Sequence, residues 1–237
     1  MEYFTYSNIG KRKSNEDAVL VKKLHPNSLF AIIADGMGGY EYGEQAAELI
    51  IENLLTYFSA LNNNSYAKND IENAIKKANL AVKHFNDKMA VKSGATIAGV
   101  IINNEVTQIF WIGDVQVDLF KGNELVYKTE PHTLIQDLKK QLEVVSIEMF
   151  QKYNHIVTKS ISGKREIIDF GYQEFKNTDF DTLIISSDGV HNCINTSQLL
   201  ELELTEINNY LSLNSTDNNS YIKIIRYQTQ NTTSNRY

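Results

Sequence analysis

Apolar positions along the chain follow two different periods. In two long stretches they recur three and four residues apart, which predicts amphipathic helices over residues 44–61 and 70–89. Elsewhere apolar residues stand in short runs or alternate with polar ones, which is typical of strands. The predicted strands cover residues 29–34, 96–102, 106–112, 115–119, 124–128, 155–161, 167–175, 182–186 and 221–227. Shorter helices are predicted at about 133–142 and 197–210.

The order of these elements favours one fold class. Strands are followed by two adjacent helices, then by a run of strands, short helices and further strands. Because strands and helices do not alternate one for one, a doubly wound parallel sheet is disfavoured, and an α+β fold with two mostly antiparallel sheets is favoured. The chain has 2 prolines and no Pro/Gly linker. We expect one domain over residues 1–237, a loop at residues 62–65 and a frayed polar tail from about 229.

Composition limits the binding partners and the cellular compartment that we expect for this protein. The 237 residues include 29 acidic and 23 basic side chains, so no broad cationic face for nucleic acid or an anionic membrane is expected. A single cysteine, Cys193, excludes a disulfide-stapled scaffold and fits a reducing compartment. The first eight residues lack a cationic segment followed by an apolar one, and no apolar run approaches the roughly 20 residues of a membrane span. We expect a soluble cytoplasmic protein.

The candidate chemistry lies in carboxylates at the ends of apolar runs. A buried strand that leads into an aspartate places a carboxylate at the rim of the core, where desolvation is costly and converging like charges repel. Divalent cations would remove this conflict, and oxygen ligands suit Mg²⁺ or Mn²⁺ better than Zn²⁺. The acidic residues at such ends are Glu16, Asp17, Asp35, Asp114, Asp188 and Asp217.

The alternative interpretation of these positions is a set of ordinary turns. An Asp-Gly pair after a strand is usually a turn. Two such pairs, Asp35-Gly36 and Asp188-Gly189, are accompanied by the further acidic positions, which favours a metal site. Gly36 also lets a backbone carbonyl approach a ligand closely. The pattern alone does not establish that the carboxylates converge.

Six motifs in order carry a resemblance to a known family. They extend over most of the chain, from about Ser7 to Tyr227, and the segment Asp35-Gly36-Met37-Gly38-Gly39 is the most specific. The sequence resembles the metal-dependent protein phosphatases of the type 2C (PPM) family. The matching segments are Arg12-Lys13-Ser14-Asn15-Glu16-Asp17, Ala34 to Gly39, Gly94-Ala95-Thr96, Ile112-Gly113-Asp114, Ser187-Asp188-Gly189 and Asp217-Asn218-Asn219-Ser220.

The resemblance implies a fold, an activity and a pair of metal ions. The fold would be a four-layer α-β-β-α sandwich, and the activity hydrolysis of phosphoserine and phosphothreonine in proteins. Asp35 would bridge two Mn²⁺ or Mg²⁺ ions. Asp188 and Asp217 would complete one site, and Glu16 and the Gly36 carbonyl would serve the other. The partners would be phosphorylated proteins, the products of a Ser/Thr kinase, and the phosphatase would act as a monomer.

The resemblance also implies roles for residues around the two ions. Asp17 would orient a water on the metals, and Arg12 would hold the phosphoryl oxygens, a task suited to a planar fork of donors. A weaker third ion would use Asp114 together with Asp188. Met37 stands where some eukaryotic members carry a histidine proposed as a general acid. With methionine there, as in bacterial members, a water on the metals would protonate the leaving group.

Several segments depart from the family pattern. Val115-Gln116, Pro131-His132 and the segment 159–162 replace other residues of the family. None of them is among the implied ligands of the two ions, so the departures concern substrate docking, local packing and the surroundings of the third ion. The five histidines show no metal-ligand spacing. We expect His132 and His191 to be ordinary surface or core residues and Cys193 to be a small buried apolar residue.

Two other functions remain open from the sequence. One is a regulatory or binding module that keeps the fold and has lost turnover. The other is a metal-dependent phosphoesterase acting on small molecules, since the pocket outside the metal centre leaves no readable pattern. The intact carboxylates favour the phosphatase over the silent module, because self-repelling acidic groups serve no purpose in a protein that binds no cation.

Overall fold

The computed structural model describes residues 1–37, 42–61, 66–142 and 145–226. The strands are β1 (Glu2–Asn8), β2 (Asp17–His25), β3 (Ser28–Gly36), β4 (Ala95–Ile102), β5 (Val106–Ile112), β6 (Gln116–Lys121), β7 (Glu124–Lys128), β8 (Gly171–Lys176), β9 (Thr182–Ser186) and β10 (Asn219–Ile225). The helices are α1 (Gly43–Leu61), α2 (Lys68–Met89), α3 (Leu134–Lys139), α4 (Ile147–Tyr153), α5 (Asp188–His191), α6 (Gln198–Glu201) and α7 (Leu204–Asn214).

The strands of the described ranges form two antiparallel sheets. One sheet has the order β1-β10-β9-β6-β7 and the other β2-β3-β4-β5-β8. Every pair of neighbouring strands is antiparallel. The prediction of two mostly antiparallel sheets is therefore confirmed.

Alternation along the strands builds the core between the two sheets. In β3, Ala31 and Ile33 pack in the same buried cluster as Leu183 and Ile222 of the other sheet. The intervening β3 residues face the opposite side because successive side chains of a strand point to opposite faces. There Ile32 packs in the cluster that contains the apolar faces of α1 and α2.

A second helical layer covers the outer face of the other sheet. Phe120 and Ile184 of that sheet share a buried cluster with Leu199, Ile207 and Leu211 of helices α6 and α7. The layers are therefore helices, sheet, sheet and helices, as the resemblance to type 2C phosphatases implied. Among the described residues, no helix is both long and apolar enough to cross a membrane.

The two long helices were predicted within two residues of their observed ends, whereas some short elements were not. β1, β2, α4 and α5 were not predicted. The prediction of a strand at residues 155–161 is wrong: this segment makes only two isolated bridges, Val157 to Thr133 and Ile161 to Ala95. The strand predicted at 167–175 begins at Gly171 and ends at Lys176. The loop at 62–65, the tail from 229, Tyr227 and the Gly38-Gly39 pair lie outside the described residues.

Candidate metal centre

Two carboxylates close one end of the core between the sheets. Asp17 and Asp35 are direct partners in the antiparallel register of β2 and β3. Asp35 follows Ile33 by two residues, and Asp17 precedes Val19 by two, so strand alternation places both carboxylates on the face that Ile33 and Val19 use to contact the inter-sheet core. The apolar core thus ends in two acidic groups.

Other segments bring further acidic residues to the same end. Asp114 lies in the turn after β5, Asp188 is the first residue of α5 after β9, and Asp217 comes just before β10. One cavity of about 690 Å³ joins these segments. Its lining includes the side chains of Glu16, Asp35, Asp114, Asp188 and Asp217, together with Gly36. The expected convergence of the sequence-predicted residues is therefore observed, with Asp17 buried against Ser187 beside them.

Burial and mutual repulsion raise the proton affinity of these carboxyl groups. Burial is the main cause that raises the pKa of Asp188 to about 7, and the neighbouring charges of Asp114 and Asp217 add to it. Burial raises the pKa of Asp35 well above its usual range, with repulsion from Asp17 and Asp188 next in importance. Burial likewise raises the pKa of Asp17 to about 6, although the hydroxyl groups of Ser220 and Ser187 oppose it. A cluster with this property attracts cations.

At this end of the core, two buried carboxylate oxygens have no hydrogen-bond partner among the described residues. They are Oε2 of Glu16 and Oδ1 of Asp17. The other oxygen of Asp17 accepts a hydrogen bond of 2.8 Å from the Ser187 hydroxyl. Because buried acceptors are nearly always satisfied, the two orphaned oxygens indicate places where a hard cation or its water would fit.

Close backbone packing shapes the Glu16 side of the cavity. The Gly36 amide donates to the Glu16 carbonyl at 3.1 Å. A Cβ added at Gly36 would lie 2.7 Å from the carbonyl oxygen of Gly43, so only glycine fits. A Cβ at Gly43 would overlap Glu16 Oε2. The Glu16 carboxylate therefore lies directly against the first residue of α1, in space that a side chain there would fill.

Asn218, directly before β10, holds the loop that carries Arg12 and Glu16 against the start of this strand. Its amide nitrogen donates to the carbonyls of Ile9, at 2.9 Å, and Ser14, at 2.8 Å. Its amide oxygen accepts from the Glu16 backbone N–H at 2.9 Å. The sequence marked Asn218 only as part of a motif and gave it no role. Only the position of the loop backbone identifies it as the residue that holds the loop.

Arg12 forms an ion pair with Asp217 at the mouth of the cavity. Its Nη2 lies 2.5 Å from Asp217 Oδ2, and the side chains are 50% and 33% exposed. Lys11 and Lys13 line the same cavity. The cavity therefore has an acidic interior and a basic rim, an arrangement that suits an anion held next to bound cations.

The side chains do not close around an ion as they stand. Among the described residues, no three Asp, Glu, His or Cys side chains form a group that could hold a metal. Asp217 is directed instead toward Arg12. The individual ligand assignments therefore stay predictions, whereas the clustering of hard oxygen donors around one cavity and their orphaned oxygens fit divalent cations.

The segment Pro131-His132, which departs from the family pattern, supports the turn before Asp114. The His132 amide donates to the Gly113 carbonyl at 2.8 Å, and the Gly113 amide donates to His132 Nδ1 at 3.1 Å. Burial lowers the pKa of His132 to about 4, so this acceptor nitrogen is unprotonated at neutral pH. Its ring also stacks on Trp111.

Cys193, expected to be buried, is partly exposed and lines two surface pockets.

Paired antiparallel sheets that end in clustered carboxylates beside an arginine fit the class of metal-dependent phosphoric ester hydrolases. A sequence model of the family described as "Protein phosphatase 2C" matches residues 5–220. The chain belongs to the protein phosphatase 2C family. The resemblance found in the sequence and the predicted fold are thereby confirmed.

Known relatives support the same class of enzyme. The protein phosphatase PhpP of Streptococcus pneumoniae is 28% identical over 215 residues, covering 87% of this chain and 86% of PhpP. A bacterial serine phosphatase of known crystal structure has a TM-score of 0.84 at 22% identity, covering 96% of this chain and 98% of that chain. The catalytic domain of the serine/threonine phosphatase PstP, solved with two manganese ions, has a TM-score of 0.76 at 20% identity, covering 95% and 98%. Together with the family, the relatives support protein serine/threonine dephosphorylation.

Proposed function

We propose that this chain hydrolyses phosphoserine and phosphothreonine esters in proteins with a water activated between two divalent cations, Mn²⁺ or Mg²⁺. The observation that carries the proposal is the single cavity lined by five carboxylates and bordered by Arg12. Bound cations would lower the pKa of a water and stabilise the charge of the phosphoryl group. The manganese ions of the related PstP structure are consistent with this cofactor.

The proposed cation ligands come from several segments of the chain. Asp35, at the centre of the electrostatic coupling, would contact both cations. Asp188 and Asp217 would complete one site, and Glu16 with the Gly36 carbonyl the other. Each of these groups lines the cavity.

Two further residues would act on the water and the phosphoryl group. Asp17, whose Oδ1 has no hydrogen-bond partner, would accept a hydrogen bond from the attacking water and orient it. Arg12 would exchange its Asp217 partner for the phosphoryl oxygens when Asp217 binds a cation.

A weaker third cation would bind between Asp114 and Asp188. Both line the main cavity and a smaller neighbouring one, and repulsion from Asp114 is the largest charge effect that raises the pKa of Asp188. A cation placed there would relieve this repulsion. Val115-Gln116, which departs from the family pattern, directly follows Asp114 and shapes the surroundings of this ion.

The biological setting follows from the same activity. The substrates would be proteins phosphorylated by a Ser/Thr kinase, and the phosphatase would oppose that kinase in cytoplasmic signalling. A single domain acting as a monomer suffices for this, because all the proposed ligands come from one chain and surround one cavity.

A metal-dependent hydrolysis assay tests the proposal. Turnover of p-nitrophenyl phosphate and of a phosphothreonine peptide is measured with Mn²⁺ and again after addition of EDTA. We expect activity on both substrates, its loss in EDTA, and a decrease of at least about 100-fold in Asp35→Ala and Asp188→Ala. Asp87→Ala is the matched control, because Asp87 is an exposed aspartate of α2 that pairs with Lys83 of the same helix.

The other outcomes separate the competing functions. Activity that survives chelation would contradict the two-cation mechanism. Mn²⁺ binding without turnover of any phosphoester would favour a silent regulatory module. Hydrolysis of nucleotides or sugar phosphates, with no action on a panel of phosphopeptides, would favour a small-molecule phosphoesterase.

A further inference from the structure

His155 lies at the junction of two cavities next to the carboxylates. Besides the main cavity, a smaller one of about 190 Å³ is lined by residues that include Pro131, Ile135 and Phe150. The residues that line both cavities are Asp114, Asp188 and His155. We infer that His155, and not the water that the resemblance to the family implies, is the general acid that protonates the leaving serine or threonine oxygen, and that the departing side chain lies toward the smaller cavity. This inference rests on the proposed phosphatase activity.

Backbone hydrogen bonds connect the segment of His155 to the turn that carries Asp114. His132 is held to Gly113 by two hydrogen bonds, one in each direction, at 2.8 and 3.1 Å. The carbonyl of His132 in turn accepts from the Thr158 amide at 2.8 Å. His132 therefore connects the end of β5, which precedes Asp114, to the segment after α4.

A second set of contacts fixes the residue next to His155. The Leu134 amide donates to the Ile156 carbonyl at 2.8 Å, and Val157 pairs with Thr133 in an isolated bridge. The backbone on the C-terminal side of His155 is thus held directly against the segment that supports Asp114. The His155 side chain itself is exposed, and the attached backbone places it where the two cavities meet.

The imidazole has one nitrogen in contact with a neighbour. His155 Nδ1 lies 3.3 Å from Asn154 Oδ1, which can accept a hydrogen bond from a protonated ring. Nε2 is then the nitrogen that carries the transferable proton. Histidine suits this role because its ring can both give up and take back a proton. His132 and His191 do not, since burial lowers the pKa of each to about 4.

The proposed step balances as follows. Water oxygen forms a bond to phosphorus while the bond between phosphorus and the serine or threonine oxygen breaks, and its electron pair stays on that oxygen. The oxygen takes the Nε2 proton of His155 and leaves as the alcohol. The attacking water gives up a proton to solvent, and the neutral imidazole takes one back from solvent. The net reaction consumes one water and yields the alcohol and hydrogen phosphate.

Leaving-group dependence tests this role. A general acid matters for a poor leaving group such as the threonine alkoxide and hardly at all for p-nitrophenolate, which is stable without a proton. We expect His155→Gln to lower kcat/KM for a phosphothreonine peptide by about 100-fold or more and kcat/KM for p-nitrophenyl phosphate by less than about 3-fold. His84→Gln, a change at an exposed histidine of α2, should leave both values unchanged.

Two results would overturn the assignment. Equal losses on both substrates would show that His155 acts on binding or structure. No loss on either substrate would show that the proton comes from elsewhere, for example from water. Wild-type enzyme inactive on both substrates would contradict the phosphatase activity itself, and an inactive His155→Gln with a lowered melting temperature would be replaced by His155→Asn in the same comparison.

Discussion

Asp17 and Asp35 face each other as direct cross-strand partners at the same end of β2 and β3. Like charges directly opposite each other on one sheet face are destabilising. Here the pair also closes the core between the sheets, and the pKa values of both carboxyls are raised, mainly by burial. The fold thus holds acidic groups in positions that lower the stability of the cation-free protein. Such positions are expected in a site that binds cations.

The stability of the cation-free protein should therefore depend on pH. The pKa of Asp188 is about 7 and that of Asp17 about 6 in the folded chain, against an ordinary 3.8. At pH values between the unfolded and the folded pKa, the folded chain binds more protons than the unfolded chain. The two carboxyl groups therefore contribute most to the free energy of unfolding at low pH, and this contribution is lost as the pH rises from about 4 to about 7. Asp188→Asn removes one such group.

We expect Asp188→Asn to melt at a higher temperature than the wild type in EDTA, by a margin that grows as the pH rises to about 7.5. One pKa unit corresponds to about 1.4 kcal/mol, which is about 3–6 °C for a chain of this length. The measurement is a thermal melt at a series of pH values. Asp87→Asn should show a constant difference. A melting temperature of Asp188→Asn below that of the wild type at neutral pH would contradict the prediction.

Mn²⁺ should reverse this ranking. A ligand at about 100 times its Kd stabilises the folded state by about 2.7 kcal/mol, which corresponds to a rise of about 5–10 °C in the melting temperature. We expect this rise in the wild type and in Asp87→Asn, and little of it in Asp35→Asn or Asp188→Asn. Calorimetry with increasing Mn²⁺ provides the measurement, and full stabilisation of Asp35→Asn would exclude that residue as a ligand.

Asn218 shows what the sequence could not predict. The places of Asp35 and Asp188 follow from apolar runs that end in Asp-Gly, a local pattern that the sequence displays. The role of Asn218 depends on backbone carbonyls of Ile9 and Ser14, more than 200 residues away, and no side-chain pattern indicates where those carbonyls lie.

The segment 155–161 illustrates a second limit. The local sequence predicted a strand, but a strand needs a partner along its whole length, and here Val157 and Ile161 each pair with a different segment. A local sequence pattern carries no information about partners. The role inferred for His155 could be found only after this path was known.

Replacing Asn218 should loosen the loop that carries Arg12 and Glu16. The side chain is buried and makes three hydrogen bonds to backbone groups. We expect Asn218→Ala to lower the free energy of unfolding by about 2–4 kcal/mol and to weaken Mn²⁺ binding as well. Urea unfolding and Mn²⁺ titration measure the two effects. Asn214→Ala is the control, since Asn214 is exposed and its side chain donates to the Tyr210 carbonyl of its own helix. Equal losses in the two variants would contradict the loop-holding role.

Gly43→Ala should weaken Mn²⁺ binding with little change in stability. The new methyl group would overlap the carboxylate end of Glu16, which is a flexible side chain, and alanine is favourable in a helix. We expect the variant to melt within about 2 °C of the wild type while its affinity for Mn²⁺ falls. Gly36→Ala should instead destabilise the fold, because its methyl group would meet the backbone of Gly43. Unchanged Mn²⁺ affinity in Gly43→Ala would show that Glu16 does not bind the cation.

Arg12 should affect substrate binding far more than stability. The ion pair with Asp217 is half-exposed, and such pairs contribute only about 0–1 kcal/mol. A planar guanidinium that binds two phosphoryl oxygens contributes more, so we expect Arg12→Ala to raise KM for the phosphothreonine peptide by about 10-fold or more and Arg12→Lys to restore part of the loss. Inorganic phosphate should also inhibit Arg12→Ala less strongly than the wild type. Arg165→Ala, at an exposed arginine outside the main cavity, is the control. A KM that stays unchanged in Arg12→Ala would leave Arg12 as a surface partner of Asp217 and remove it from the phosphate site.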